Sequence, residues 1–157
     1  MTGDSLRPYL LAAGQGEPAA TPQLTPMTIK ASGERTDGMI GMLESVDPPG
    51  FSTVLHTHAV AELWYILDGH YDYHVAGRWL SAQAGAVVFV PPGCPHGLRA
   101  GPSGGRKLTI FVPGGAEGLF RDIHRRAEVG DFTQESLREL DATYGVTALG
   151  PLPPQSG

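Results

Sequence analysis

Six turn signals break the stretch between residues 47 and 105: Asp47-Pro48-Pro49-Gly50, Asp68-Gly69, Ala76-Gly77, Ala84-Gly85, Pro91-Pro92-Gly93 and Ser103-Gly104-Gly105. Proline fixes φ and glycine opens left-handed backbone, so each signal marks a corner that a long helix cannot contain. The chain holds 22 glycines and 14 prolines in 157 residues, enough to supply such corners throughout. Helical bundles and coiled coils are thereby excluded. An all-β architecture remains.

Between the corners, short apolar runs predict strands over 27–30, 39–46, 52–56, 61–67, 70–75, 86–90, 96–100 and 107–112. That number of strands at this spacing reads as a sandwich or barrel. The run Leu63-Trp64-Tyr65-Ile66-Leu67 is apolar on both faces. Its inner face would line a cavity, and its outer face would be covered by a second sheet, a helix or a partner.

Beyond Pro113-Gly114-Gly115 the period changes. Leu119, Ile123 and Arg126 follow helical spacing and predict a helix over 116–128. A second helix is marked by Thr133 as N-cap, Leu137, Leu140 and Tyr144 on one face, and Gly145 just past its end. The expected organisation is an extended arm over 1–26, a β-barrel over 27–113, a helical extension over 114–150 and a flexible tail over 151–157. Pro18, Pro22 and Pro26 bar a helix from the arm.

Charge excludes several partners. The formal net charge is −5, and the eleven Lys and Arg cluster only around Arg121, Arg125 and Arg126, so nucleic acid is not expected. No apolar run is long enough to span a bilayer, and the first residues lack the basic-then-apolar order of a signal peptide. The single cysteine, Cys94, forbids an intramolecular disulfide. A cytoplasmic protein fits these features.

The chemistry-bearing residues are His56, His58, Glu62 and His96. On a strand, alternate side chains share a face, so His56 and His58 can grip one ion together. Glu62 can join from the next strand and His96 from a third. Three imidazoles and a carboxylate suffice for one divalent transition metal ion, with Fe, Mn, Co, Ni, Cu and Zn all acceptable.

The surrounding residues sharpen this reading. One stretch is Gly50-(five)-His56-Thr57-His58-(three)-Glu62-(six)-Gly69, and another is Gly85-(five)-Pro91-Pro92-Gly93-Cys94-Pro95-His96. Both resemble the two signature motifs of the cupin superfamily, at the separation found in its small single-domain members. The family often has Asn four residues after the last histidine, where this chain has Ala100. The resemblance implies a small double-sheet β-barrel of jelly-roll type, with the ion held by His56, His58, Glu62 and His96. More loosely, the segment 113–120 and the helix ending Tyr144-Gly145 resemble bacterial quercetin-dioxygenase-like cupins. That likeness implies a homodimer and a metal-dependent dioxygenase acting on a small aromatic or enolic substrate, with Glu62 as ligand and general base. Non-redox cyclase, isomerase or lyase chemistry is the alternative, followed by a metal-containing module that binds or senses a small ligand.

Strand phase supplies a pocket wall. If the ligands point inward, so do Val54, Trp64, Ile66 and Leu98, while Phe89 and Phe111 are candidates whose phase no ligand fixes. Tyr71 and Tyr73 are the nearby hydroxyls, with Tyr73 assigned to the pocket. This wall is apolar, without an evident Lys or Arg to hold an anion. His70 and His74 read as structural or exposed, His124 as part of a solvated basic helix face, and Cys94 as a small buried side chain.

Overall fold

The computed structural model describes residues 6–155; the first five residues of the arm and the last two of the tail lie outside the described residues. Two long strands organise it. β5 (Ala61–Val75) and β8 (His96–Val112) pair antiparallel from Ala61↔Val112 to Val75↔His96. Each was expected as two strands. Instead, the Asp68-Gly69 and Ser103-Gly104-Gly105 corners are bends inside continuous strands, with register shifts between Ile66 and Asp68 and between Gly69 and Tyr71. Gly69 has φ 80°, and a Cβ there would strike the Gly104 carbonyl oxygen. Such bulges bend a strand without ending it.

The bends give each long strand two sets of neighbours. β5 pairs with β7 (Val87–Val90) along 62–65 and with β6 (Arg78–Gln83) along 70–75. β8 pairs with β3 (Gly41–Asp47) along 105–111 and meets β4 (Leu55–Thr57) at His96. The outer strands are β1 (Glu17–Ala20) and β2 (Pro26–Ala31) on one side and β9 (Thr147–Gly150) on the other, in the order β1-β2-β3-β8-β4-β9. The result is the double-sheet all-β barrel that the sequence implied.

Three strands differ from expectation. β1 makes the end of the arm an edge strand, where the missing N–H of Pro18 interrupts no central ladder. β6 has little apolar alternation, yet closes a hairpin on β5 through Ala76-Gly77, both at positive φ. β9 ends the extension as a strand beside β4, not as helix.

The helices are α1 (Glu117–Glu128) and α2 (Gln134–Tyr144). Thr133 caps α2 as expected: its side chain accepts from the Ser136 N–H at 3.1 Å, while Ser136 Oγ accepts from the Thr133 N–H at 2.7 Å. Gly145 ends it at φ 69°. Leu119, Ile123 and Leu140 form a buried cluster with Ala20 of β1, fastening the helices to the arm. The basic face of α1 is a correction, because Arg121 is buried: it donates to Glu17 at 3.0 Å and Glu34 at 3.1 Å. Glu17 of the arm and Glu34 of the loop after β2 draw it out of solvent. In the tail, Leu152 lies over Gly97.

Candidate metal centre

Three strands and a turn meet at one point. β4 carries His56, the turn after it carries His58, the start of β5 carries Glu62, and β8 opens with His96. The pairing His56↔His96 brings two imidazoles together across strands, with ring centroids 4.3 Å apart and the planes tilted by 57°. One donor atom from each of the four residues lies within 4.8 Å of all the others. His58, Glu62 and His96 are buried and His56 is half-buried.

Each imidazole is held from behind. Nδ1 sits against a backbone carbonyl in all three: Val54 for His56 at 2.9 Å, Val60 for His58 at 3.0 Å and Cys94 for His96 at 2.7 Å. A carbonyl oxygen can only accept, so Nδ1 carries the proton and Nε2 faces the centre. Nε2 of His58 and Nε2 of His96 stand 2.7 Å and 3.0 Å from the same oxygen, Glu62 Oε2. Lone-pair atoms this close need a proton or a cation among them. Ligands on a common ion with bonds near ~2.1 Å stand ~3 Å apart, so this donor set fits a divalent metal.

Electrostatics agree with that fit. Burial pushes the His56 imidazole down to about 4, helped by neighbouring His96, which keeps its lone pair free at neutral pH. Burial alone would raise Glu62, but the contacts of its Oε2 with Nε2 of His58 and of His96 hold its carboxyl down to about 2. Burial opposes charge on His58 too, yet the bond to Glu62 carries its pKa above the ordinary value.

The centre opens into an apolar cavity of about 340 Å³. Trp64, Leu98 and Phe111 supply its barrel side, Leu119 and Phe120 of α1 and Leu137 and Tyr144 of α2 its helical side, and Thr21, Pro22 and Met27 also line it. Tyr144 is fixed by donating to Asp122 of α1 at 2.5 Å.

Residues 42–113 match the family described as Cupin domain. That stretch is a cupin domain. Quercetin 2,3-dioxygenase of Bacillus subtilis is 27% identical over 121 residues, covering 76% of this chain and 36% of the relative. The chain thus spans about a third of that protein's length. An RmlC-like cupin from Shewanella frigidimarina superposes with TM-score 0.60 at 20% identity, over 68% of this chain and 92% of that one. The polyketide cyclase RemF from Streptomyces resistomycificus superposes with TM-score 0.51 at 26% identity, over 61% of this chain and 68% of that one.

The cupin barrel sorts the expected pocket residues by phase. Val54, Trp64, Leu98 and Phe111 line the cavity. Ile66 and Tyr73 point inward but lie in the closed core, with Tyr73 stacked on Trp64 at 4.5 Å, so neither forms cavity wall. Phe89 is a correction. It pairs with Leu63, on the outer parity opposite Glu62 and Trp64, and is 56% exposed. Tyr71 is turned away, donating to Asp47 at 2.6 Å.

The remaining side chains fall outside the cluster. His70 lies 3.0 Å from Asp72, and buried His74 packs edge-on against Trp79. Cys94 is partly buried against the barrel core. Ala100 is packed in that core, where no hydrogen bond is available from its side chain.

Two parts of the cavity were not anticipated. Leu137 and Tyr144 had been placed on an apolar helix face, but which surface that face covers is a tertiary fact. Against the expectation of a wall without an evident Lys or Arg, the cavity is lined by Arg138 of α2 and by Lys107. Its parity with Phe111 held the signal. The apolar neighbours Leu108 and Ile110 obscured it, because a hydrophobicity reading turns them inward instead.

Proposed function

We propose that this protein is a metal-dependent oxidoreductase of dioxygenase type, in which His56, His58, Glu62 and His96 hold one divalent transition metal ion. The substrate class is small, largely apolar and aromatic or enolic. One observation carries the reading: a carbonyl-anchored set of three imidazoles and a carboxylate opens directly into an apolar cavity of about 340 Å³. The likeness to quercetin 2,3-dioxygenase supports the redox direction.

When bound, such an ion supplies Lewis acidity toward a substrate oxygen and, for a redox metal, electron exchange with O2. The chain's own contribution is positional. The Nδ1 anchors fix ring orientation and tautomer. Trp64, Leu98 and Phe111 offer flat apolar surface to a ring, while Leu119, Leu137 and Tyr144 exclude water from it. Glu62 places Oε2 between two imidazoles, and its Oε1 is bonded to no described side chain. Oε1 is therefore the oxygen available to take a substrate hydroxyl proton.

The test is oxygen uptake by protein loaded in turn with Fe, Mn, Co, Ni and Cu, using flavonols and catechols as substrates. Uptake with at least one metal is expected; none with any would sink the redox reading. The likeness to RemF favours a second reading, non-redox cyclase, isomerase or lyase chemistry. Its mark would be anaerobic turnover with zinc bound. A homodimer is part of the proposal, through the apolar outer face of the barrel.

A further inference from the structure

Lys107 is the charged side chain on the barrel side of the cavity that the metal chemistry leaves unused. It is 3% exposed and shares the barrel side of the lining with Phe51, Trp64, Leu98, Thr109 and Phe111, whereas the other charged lining residues outside the metal site, Arg138 and Asp141, lie on α2. Strand register fixes its position. Ile66↔Lys107, Trp64↔Thr109 and Glu62↔Phe111 are successive inward pairs, so Lys107 lies two layers from the metal ligands. Four residues of strand separate its Cα from that of Phe111 by ~13 Å, and its own side chain spans part of that gap.

The ammonium is only partly satisfied. It donates to Ser45 Oγ at 2.8 Å and to Asp47 Oδ2, which also accepts from Tyr71. An ammonium has three N–H donors. Among the described residues, no acceptor takes the third. Nearby, Tyr73 Oη and Asp47 Oδ1 are buried without partners, so this end of the barrel has more polar capacity than it uses internally. Asp47 and Ser45 are not themselves cavity-lining, which makes Lys107 the group through which that capacity reaches a ligand.

We propose that Lys107 is a substrate-binding residue that donates a hydrogen bond to a second oxygen of the substrate, at the end remote from the metal. The substrate is then a flat molecule with two polar ends: an enolic or catecholic oxygen at the histidines, and a carbonyl, carboxylate or phenolate oxygen at Lys107. The ring between them stacks along Trp64 and Phe111. Asp47 and Ser45 are positioning residues that aim the ammonium. The inference rests on the proposed metal site and substrate class but not on turnover.

Zinc-loaded protein, which cannot exchange electrons with its ligand, gives a clean test by calorimetric titration. The probes are 3,4-dihydroxyacetophenone, whose carbonyl can accept from Lys107, and 4-isopropylcatechol, its apolar counterpart of similar shape. The variants are Lys107→Met and the double variant Lys107→Met with Asp47→Asn, which leaves no unpaired buried carboxylate. We expect both to weaken the carbonyl probe roughly tenfold or more relative to the apolar one, the scale of a lost bond to a charged donor. The retained binding of 4-isopropylcatechol reports an intact pocket. Equal weakening of both probes, or no weakening, would overturn the assignment. Either result would leave the oxygen-uptake test of the redox reading standing.

Discussion

Glu62 is the one anionic donor among the four that converge, and a single oxygen of it contacts both His58 and His96. Replacing it with glutamine keeps the shape but removes the charge, and places an amide where a cation is to sit. Glu62→Gln should weaken zinc or cobalt binding by at least ~10-fold, since loss of lesser, outer partners already costs that much. Competition with a chromophoric chelator measures it; unchanged affinity would remove Glu62 from the ligand set. These four residues were legible because their identity and spacing are local properties of the chain. Lys107 was not. In Lys107-Leu108-Thr109-Ile110-Phe111 the apolar residues alternate with the inward ones, and the barrel register turns Leu108 and Ile110 outward with Leu63 and Tyr65. A strand apolar on both parities does not announce which side faces the core.

At the scale of elements, local turn chemistry can mislead in either direction. Asp68-Gly69 reads as a chain reversal yet is a bulge, because Gly104-Gly105 on the facing strand lets the two backbones bend together. Ala76-Gly77 is a real reversal, although alanine is poorly suited to it. The pairing Val75↔Arg78 leaves two residues in the loop, both left-handed, with Ala76 at φ 49° and Gly77 at φ 80°. A two-residue hairpin of this kind favours Asn-Gly, since asparagine tolerates that backbone and alanine is strained in it. Ala76→Asn should therefore stabilise the protein by about 0.5–1 kcal/mol, visible as a melting temperature raised by roughly 1–4 °C. A lowered melting temperature would mean that the alanine methyl makes contacts worth more than the relieved strain. β6 was missed for a related reason: its sequence is mostly exposed, and the hairpin, not apolar alternation, holds it in the sheet.

For the whole molecule, the outward parity of the barrel is the uncovered apolar surface. Register places Phe89 beside Leu63, Val87 beside Tyr65, and these beside Ile110 and Leu108 of β8, so one continuous apolar face crosses β7, β5 and β8. Phe89 is 56% exposed, Val87 57% and Tyr65 39%. Neither helix covers this face: α1 packs on β1, and α2 on α1. Contiguous apolar surface of this kind is uncommon on a lone subunit and suits burial against a second copy. The cavity and its four donors come from one chain, so association is not needed to complete the site. Sedimentation of the wild-type protein at tens of micromolar should therefore give a dimer. Val87→Lys with Phe89→Glu should give a monomer that binds metal as tightly as the parent, since both side chains point away from Glu62 and Trp64. A monomeric wild type would refute the dimer. A variant that still dimerises would move the interface elsewhere. Loss of metal along with the dimer would show that the outer face supports the geometry of the inner one, which the strand register alone does not require.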